Sequence, residues 1–350
     1  MKEIASIIAE PGMILAKDVV YKDKVLFPAD TVLDTLVIDR LKRYSIMCVS
    51  IKDNEDLAST HYEKMRFNQR FREFETAFNQ ALLEYKAYML MFIETGQKPQ
   101  DAVFLKIYED LAAMVPNGSV LLDYLYMMVP NEDELTFTHS LNSALLAGCF
   151  AEWLSFSEEK KNLLIMSGFF YDIGKYKMPY DILWKPDKLT PEEFALVRSH
   201  PTLGFQMVQY VHLNDHIKNT VLMHHERMDG SGYPSGMSGH DIDYYARIIA
   251  IVDTYIAMAA PRSYRSALTP MQIIGNFESS MEKYDVEILM PLLKRIADAQ
   301  IGTTVQLDDD SIWEIMIIHP TKFSRPILRN ADSKILDLSQ NPQYKIIKNL

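Results

Sequence analysis

From about Asp101 to Ala299 apolar residues recur at helical spacing, and this long stretch constrains the fold more than any other feature of the chain. It is interrupted at Pro116-Asn117-Gly118, Pro130, Pro179 and Pro186, in a loop over Gly230–Gly239, and at Pro261. Breaks of that kind separate helices of ordinary length, so the region is expected to be a mainly α bundle. With 350 residues, 48% hydrophobic and 24% charged, the chain has enough apolar material for two or three domains.

The flanks differ from this centre. Residues 1–55 read as a small N-terminal mixed α/β module. Met13–Val20 and Lys24–Phe27 suggest strands around a Tyr21–Asp23 turn, Thr31–Tyr44 a helix, and Ile46–Ile51 a closing strand. Residues 56–100 read as a connecting helix. Asp56 to Glu94 is almost free of Gly and Pro, and Phe67, Phe71, Phe74, Phe78 and Leu82 form a stripe that ends at Gly96. Such a stripe packs either on its own domain or on a second copy, so a homodimer is one expectation. The helical domain is placed at 101–302 and a short β-rich C-terminal extension at 303–350. There Thr304–Leu307, Ile312–Ile318 and Pro326–Leu328 look like strands. Asp308–Asp310 is read as a solvated turn, because the spacing of a calcium loop is absent.

Composition excludes several classes. A net charge of −11 argues against a nucleic-acid polymer or an anionic membrane as partner. The two cysteines, Cys48 and Cys149, are far apart and in apolar settings, which leaves neither a disulfide framework nor a cysteine-ligated zinc. The first residues carry Glu3 and Glu10 and lack the basic, apolar pattern of a signal peptide. Runs such as Ala144–Phe150 stop well short of the roughly 20 residues a membrane span needs. A cytoplasmic protein is expected.

The chemistry gathers in the helical region. His224-His225-Glu226-Arg227-Met228-Asp229-Gly230-Ser231-Gly232-Tyr233-Pro234 joins two imidazoles and two carboxylates to a Gly-rich turn. Adjacent residues on a helix point about 100° apart, which suits ligands of neighbouring metals or one ligand and its support. Asp172 and Lys175 lie about one turn apart with Gly174 between them. His139, His200 and Asp253 sit on other helical segments. Carboxylates and imidazoles spread over facing helices are how bundles build dinuclear centres. Other enzyme patterns fail on spacing. Asp229 stands where a zinc-protease helix needs its second His, Gly230-Ser231-Gly232 lacks the Lys of a phosphate loop, and no Gly-x-Ser-x-Gly elbow occurs.

These residues resemble the HD-GYP family, helical metal-dependent phosphodiesterases of bacterial cyclic di-GMP signalling. The resemblance runs from about Thr138 to Leu268. His139 stands at the first helical His, and Asp172, Gly174 and Lys175 match the His-Asp-x-Gly-Lys motif. His200-Pro201 matches its His-Pro, and the stretch from His224 to Pro234 its His-His-Glu to Gly-Tyr-Pro segment. Arg247 to Asp253 matches the Arg-Ile…Asp segment, and Arg262, Tyr264 and Arg265 the Arg-x-Tyr-Arg. Three positions depart from the pattern: Tyr171 replaces the His of His-Asp, Leu135 stands where some members carry a ligating Glu, and Ile256 where an Asp is usual.

The resemblance implies an HD-type helical bundle and a divalent metal cofactor, iron or manganese, as one or two ions. His139, Tyr171, Asp172 and Asp253 would surround one position. Asp172, His200, His224 and His225 would surround the other, with Asp172 bridging. Because the Tyr171 change falls on the first position, a single-metal or asymmetric centre is expected. Asp172 and Lys175 would be catalytic. Lys175, Lys185, Arg262 and Arg265 would contact substrate, and Tyr233 would shape the pocket for a guanine base or a protein partner. The implied activity is hydrolysis of cyclic di-GMP or a related cyclic dinucleotide. The alternative is a degenerate member that binds a cyclic dinucleotide or a protein without turnover.

Overall fold

The computed structural model describes residues 2–21, 24–29, 31–52, 61–128, 135–183, 185, 189–260 and 267–350. At the N-terminus β1 (Lys2–Ala5) pairs antiparallel with β4 (Cys48–Ile51), and β2 (Val19–Tyr21) with β3 (Lys24–Phe27). Helix α1 (Thr35–Arg43) starts where the Asp34 carboxylate accepts from the Val37 N–H, four residues later than the sequence suggested. These elements enclose their own small core around Leu15, Leu33, Leu41 and Val49. Of the expected strand Met13–Val20 only the end is a strand. Ile14 and Leu15 make isolated bridges to Val32 and Ile51. The expected turn at Tyr21–Asp23 lies partly outside the described residues.

The expected long helix is two helices, α2 (His61–Arg66) and α3 (Gln69–Thr95). Asn68 separates them, since its side chain accepts from the Arg70 N–H and begins a new helix. In α3 the residues Phe71, Phe74, Phe78, Leu82, Tyr85, Met89 and Phe92 are all buried. Their stripe packs against the chain's own helices, and the Tyr85 hydroxyl donates to the buried Phe169 carbonyl at 2.6 Å.

The bundle continues with α4 (Asp101–Ala112), α5 (Gly118–Met127) and α6 (Leu135–Trp153). Every residue from Phe137 to Ala151 in α6 is buried, so this helix runs through the middle of the core and shows no solvent face. Around it lie α7 (Glu158–Phe170), α8 (Tyr180–Leu183), α9 (Pro191–Val197), α10 (His200–Val208), α11 (Asp215–Met223) and α12 (Tyr244–Ala259). A capping box of Thr190 and Glu193 begins α9.

Helices α13 (Pro270–Glu278) and α14 (Val286–Asp298) carry the C-terminal sheet. Its strands β5 (Thr304–Leu307), β6 (Ile312–His319), β7 (Lys322–Arg329), β8 (Ile335–Asp337) and β9 (Ile346–Asn349) are antiparallel in the order β8-β7-β6-β5-β9. Val305, Leu307, Ile315, Leu328 and Ile346 of this sheet join the core that Phe71 begins. Ion pairing between Lys348 and Glu10 at 2.8 Å links the sheet to the N-terminal unit. No helix among the described residues is long and apolar enough to cross a membrane.

The α3 stripe gives a clear expectation. Truncating the buried Phe78 to Ala should lower unfolding stability by about 3–5 kcal/mol through the cavity left behind. Leu83→Ala on the outer face, where Leu83 is 55% exposed, should change it by about 0.5 kcal/mol or less. Urea unfolding midpoints of the two variants test this, and equal midpoints would contradict the packing described.

Candidate metal centre

Five elements deliver side chains to one place. His139 comes from α6, Asp172 from the turn after α7, His200 from the first residue of α10, His224 and His225 from the end of α11, and Asp253 from α12. The turn after α7 continues as a 3-10 helix, Ile173–Lys177, lying against the start of α10. A Cβ on Gly174 would fall 1.9 Å from the His200 carbonyl oxygen, so only glycine lets Asp172 and His200 come this close.

The side chains form two groups that could each hold an ion: His200, His224 and His225, and His139, Asp172 and Asp253. In the first, His200 Nδ1 lies 2.6 Å from the Val197 carbonyl, and His224 Nδ1 lies 3.1 Å from those of Thr220 and Val221. A carbonyl only accepts, so in the neutral rings both protons sit on Nδ1 and both Nε2 atoms carry lone pairs. Those two Nε2 atoms are 3.1 Å apart. Asp172 Oδ1 is 3.3 Å from the one and 3.6 Å from the other. It is buried and has no hydrogen-bond partner. Three buried electron pairs therefore point at one another without a proton to share. Such an arrangement repels itself and is relieved by a cation.

Protonation of His200 and of His225 is disfavoured. Burial, ahead of the Asp172 carboxylate that opposes it, holds the His200 imidazole below its ordinary pKa. His225 is held well below, by burial and then by the neighbouring His224. Burial by itself would raise the Asp172 carboxyl. The Lys175 ammonium 2.5 Å from Oδ2, followed by the imidazoles, outweighs it and keeps the carboxyl well below its usual range. An ionised Asp172 thus faces one group with Oδ1 and the other with Oδ2, which is 4.0 Å from His139 Nε2.

The second group is differently arranged. His139 Nε2 is 2.8 Å from Asp253 Oδ1, close enough to donate to it. The Tyr171 hydroxyl donates to the same oxygen at 3.2 Å and meets Ser143 Oγ at 3.0 Å. Tyr171 is fully buried, and burial, then the Asp253 and Asp172 carboxylates, push its phenol well above the ordinary value. Tyr171 is a neutral donor here. Leu135 and Ile256 are the first residue of α6 and a buried residue of α12.

At the mouth, the loop after His225 folds back on itself. A Cβ on Gly232 would lie 2.5 Å from the His225 carbonyl oxygen and the Arg227 nitrogen. The Glu226 carboxylate, buried, accepts from the Ser235 N–H at 2.7 Å and the Met237 N–H at 3.0 Å. Tyr233 stacks on His225 at 4.6 Å and 24°. The Arg227 guanidinium donates to the His224 and Glu226 carbonyls and lies over Tyr284. Glu226 and Ser143 had no role assigned from the sequence. Glu226 was visible inside the motif, whereas Ser143 shows only as one helical turn beyond His139.

Lys185 is ion-paired with Glu193 at 2.7 Å, and Arg262 and Arg265 lie outside the described residues.

Residues 123–288 match the family model described as HD domain. That segment is similar to an HD domain. The matched segment holds every residue of the two groups and contains the motifs on which the resemblance rests. The chain is 28% identical over 247 residues to the cyclic di-GMP phosphodiesterase PA4108 of Pseudomonas aeruginosa, covering 69% of this chain and 59% of that protein. It is 35% identical over 148 residues to a 3'3'-cGAMP-specific phosphodiesterase of Vibrio cholerae, covering 42% and 34%. Among solved structures, the chain is similar to Bd1817, a HDG"Y"P protein from Bdellovibrio bacteriovorus, with TM-score 0.45 and 16% identity over 83% of this chain and 97% of that one. The chain thus spans about three fifths or less of the length of these two curated relatives.

The clamp on the loop is testable. Glu226→Ala leaves two N–H groups without their acceptor and should weaken the loop locally by about 1–3 kcal/mol. Hydrogen exchange at Ser235 and Met237 should quicken accordingly, and unchanged protection there would show that the carboxylate does not hold the loop.

Proposed function

We propose that the chain is a metal-dependent phosphodiesterase that hydrolyses cyclic di-GMP. The observation that carries this reading is the convergence of His200 Nε2, His224 Nε2 and Asp172 Oδ1 as buried, unprotonated donors. The curated relatives named above, both phosphodiesterases of cyclic dinucleotides, support the same reaction class.

In this reading His200, His224 and His225 hold one ion and His139, Asp172 and Asp253 a second, with Asp172 facing both. Imidazole and carboxylate donors without sulfur suit iron or manganese. Bound divalent ions would neutralise phosphoryl charge and bring the pKa of a water near neutrality. The Lys175 ammonium, held by Asp172 Oδ2 and partly exposed, lies where it can meet a phosphate oxygen as a point charge. Tyr233, stacked on His225, walls the mouth of the centre.

Tyr171 acts as a positioning residue for Asp253 instead of a ligand. Its hydroxyl keeps Asp253 Oδ1 fixed opposite His139, and Ser143 orients that hydroxyl. A supporting group of this kind changes metal affinity or activity by about 10–100-fold when removed.

The purified protein should therefore contain iron or manganese and cleave cyclic di-GMP. Chelation should abolish turnover, and added manganese should restore it. His224→Ala and Asp172→Asn should lose both metal and activity, while Tyr171→Phe should retain the His200–His224–His225 ion and turn over about 10–100-fold more slowly. Metal analysis and product chromatography give both readouts. A metal-loaded native protein that binds cyclic di-GMP without cleaving it would sink the enzyme reading and leave a binding module.

A further inference from the structure

Tyr233 has a second neighbour. The guanidinium carbon of Arg198 lies 4.6 Å over the ring centre, the same separation that His225 keeps from it. The Tyr233 ring thus touches both an imidazole of the candidate metal ligands and the guanidinium of Arg198. Arg198 caps the end of α9, two residues before His200, and its side chain is exposed.

The charge of Arg198 is uncommitted. Lys175 is paired with Asp172, Lys185 with Glu193, and Arg247 with Asp285. Arg227 is turned onto backbone carbonyls. Arg198 forms no ion pair among the described residues, and its guanidinium rests on the Tyr233 ring. In a chain of net charge −11, an exposed cation without a carboxylate partner beside a candidate phosphodiesterase centre is a ready anion site.

Lys175, held beside Asp172, and the more exposed Arg198, resting on Tyr233, therefore offer positive charge at two places. A cyclic dinucleotide carries two phosphodiester groups on opposite sides of its ring, and placing one at the metal ligands turns the other away from them. We propose that Arg198 binds the second, uncleaved phosphate of a cyclic dinucleotide and thereby selects substrates with two phosphates over simple diesters. This rests on the phosphodiesterase reading. The guanidinium fork matches two phosphate oxygens, and its rest on Tyr233 fixes its plane before substrate arrives.

The test compares kcat/KM for cyclic di-GMP with kcat/KM for bis(p-nitrophenyl) phosphate, a diester with a single phosphate, using the manganese-loaded full chain. Arg198→Gln should lower the ratio of the two about tenfold, mainly by raising KM for the cyclic substrate. Arg198→Lys should recover most of that loss, because a point charge still serves a phosphate. Equal losses on the two substrates would overturn the proposal by making Arg198 a general support of the centre. No loss on cyclic di-GMP would overturn it too, as would a Lys variant no better than Gln. If the native protein cleaves neither substrate, the phosphodiesterase reading fails separately, and equilibrium dialysis with cyclic di-GMP decides the role of Arg198. Weaker binding by Arg198→Gln supports it, while equal binding, or none by the native chain, overturns it.

Discussion

The mutual repulsion of three buried donors is the constraint that the helical region answers to. His200 Nε2, His224 Nε2 and Asp172 Oδ1 come from three different elements, and nothing in their own chemistry draws them together. What holds them is apolar packing on every side, above all around α6, which is buried from Phe137 to Ala151. Folding energy from the helices is thus set against local electrostatic cost, as expected where function and stability conflict. Gly174 allows the approach, and the carbonyls of Val197, Thr220 and Val221 choose the tautomers that make it repulsive.

The opposite half of the centre follows another logic. His139, Tyr171 and Ser143 are joined around Asp253 Oδ1 by hydrogen bonds. That network is satisfied as it stands, whereas the His200–His224 pair is not. An ion entering beside Asp253 has to displace a hydrogen bond, and one entering between the two imidazoles relieves a repulsion. The two halves differ in readiness, and the difference lies in how the phenol of Tyr171 shares Asp253 with His139.

Much of this was legible in the sequence, for reasons that differ by region. The helices were readable because their apolar residues repeat over long spans, and α3 shows why the details were less so. Its stripe from Phe71 to Phe92 was plain, but the break at Asn68 depends on one side chain accepting from the Arg70 N–H. Strands β1, β8 and β9 are three or four residues long. Segments that short carry too little alternation to announce themselves, and their pairing is decided by partners elsewhere, such as Cys48–Ile51 for β1. At the site, the motif spacings brought out His139, Asp172, His200, His224, His225 and Asp253. They could not show that Lys185 turns to Glu193, or that Arg198 reaches Tyr233, since both are matters of side-chain direction.

The fold-back loop has a mechanical consequence. Glu226 adjoins His225 in the chain, and its carboxylate is tied to the backbone of Ser235 and Met237 on the far limb of the loop. The Tyr233 N–H is bonded to the His225 carbonyl, and its ring rests on the imidazole. Loop and imidazole are therefore one stiff body. A push applied at the surface near Ser235 is carried along that body to the His225 ring, so the outer rim of this protein acts as a handle on one imidazole of its centre.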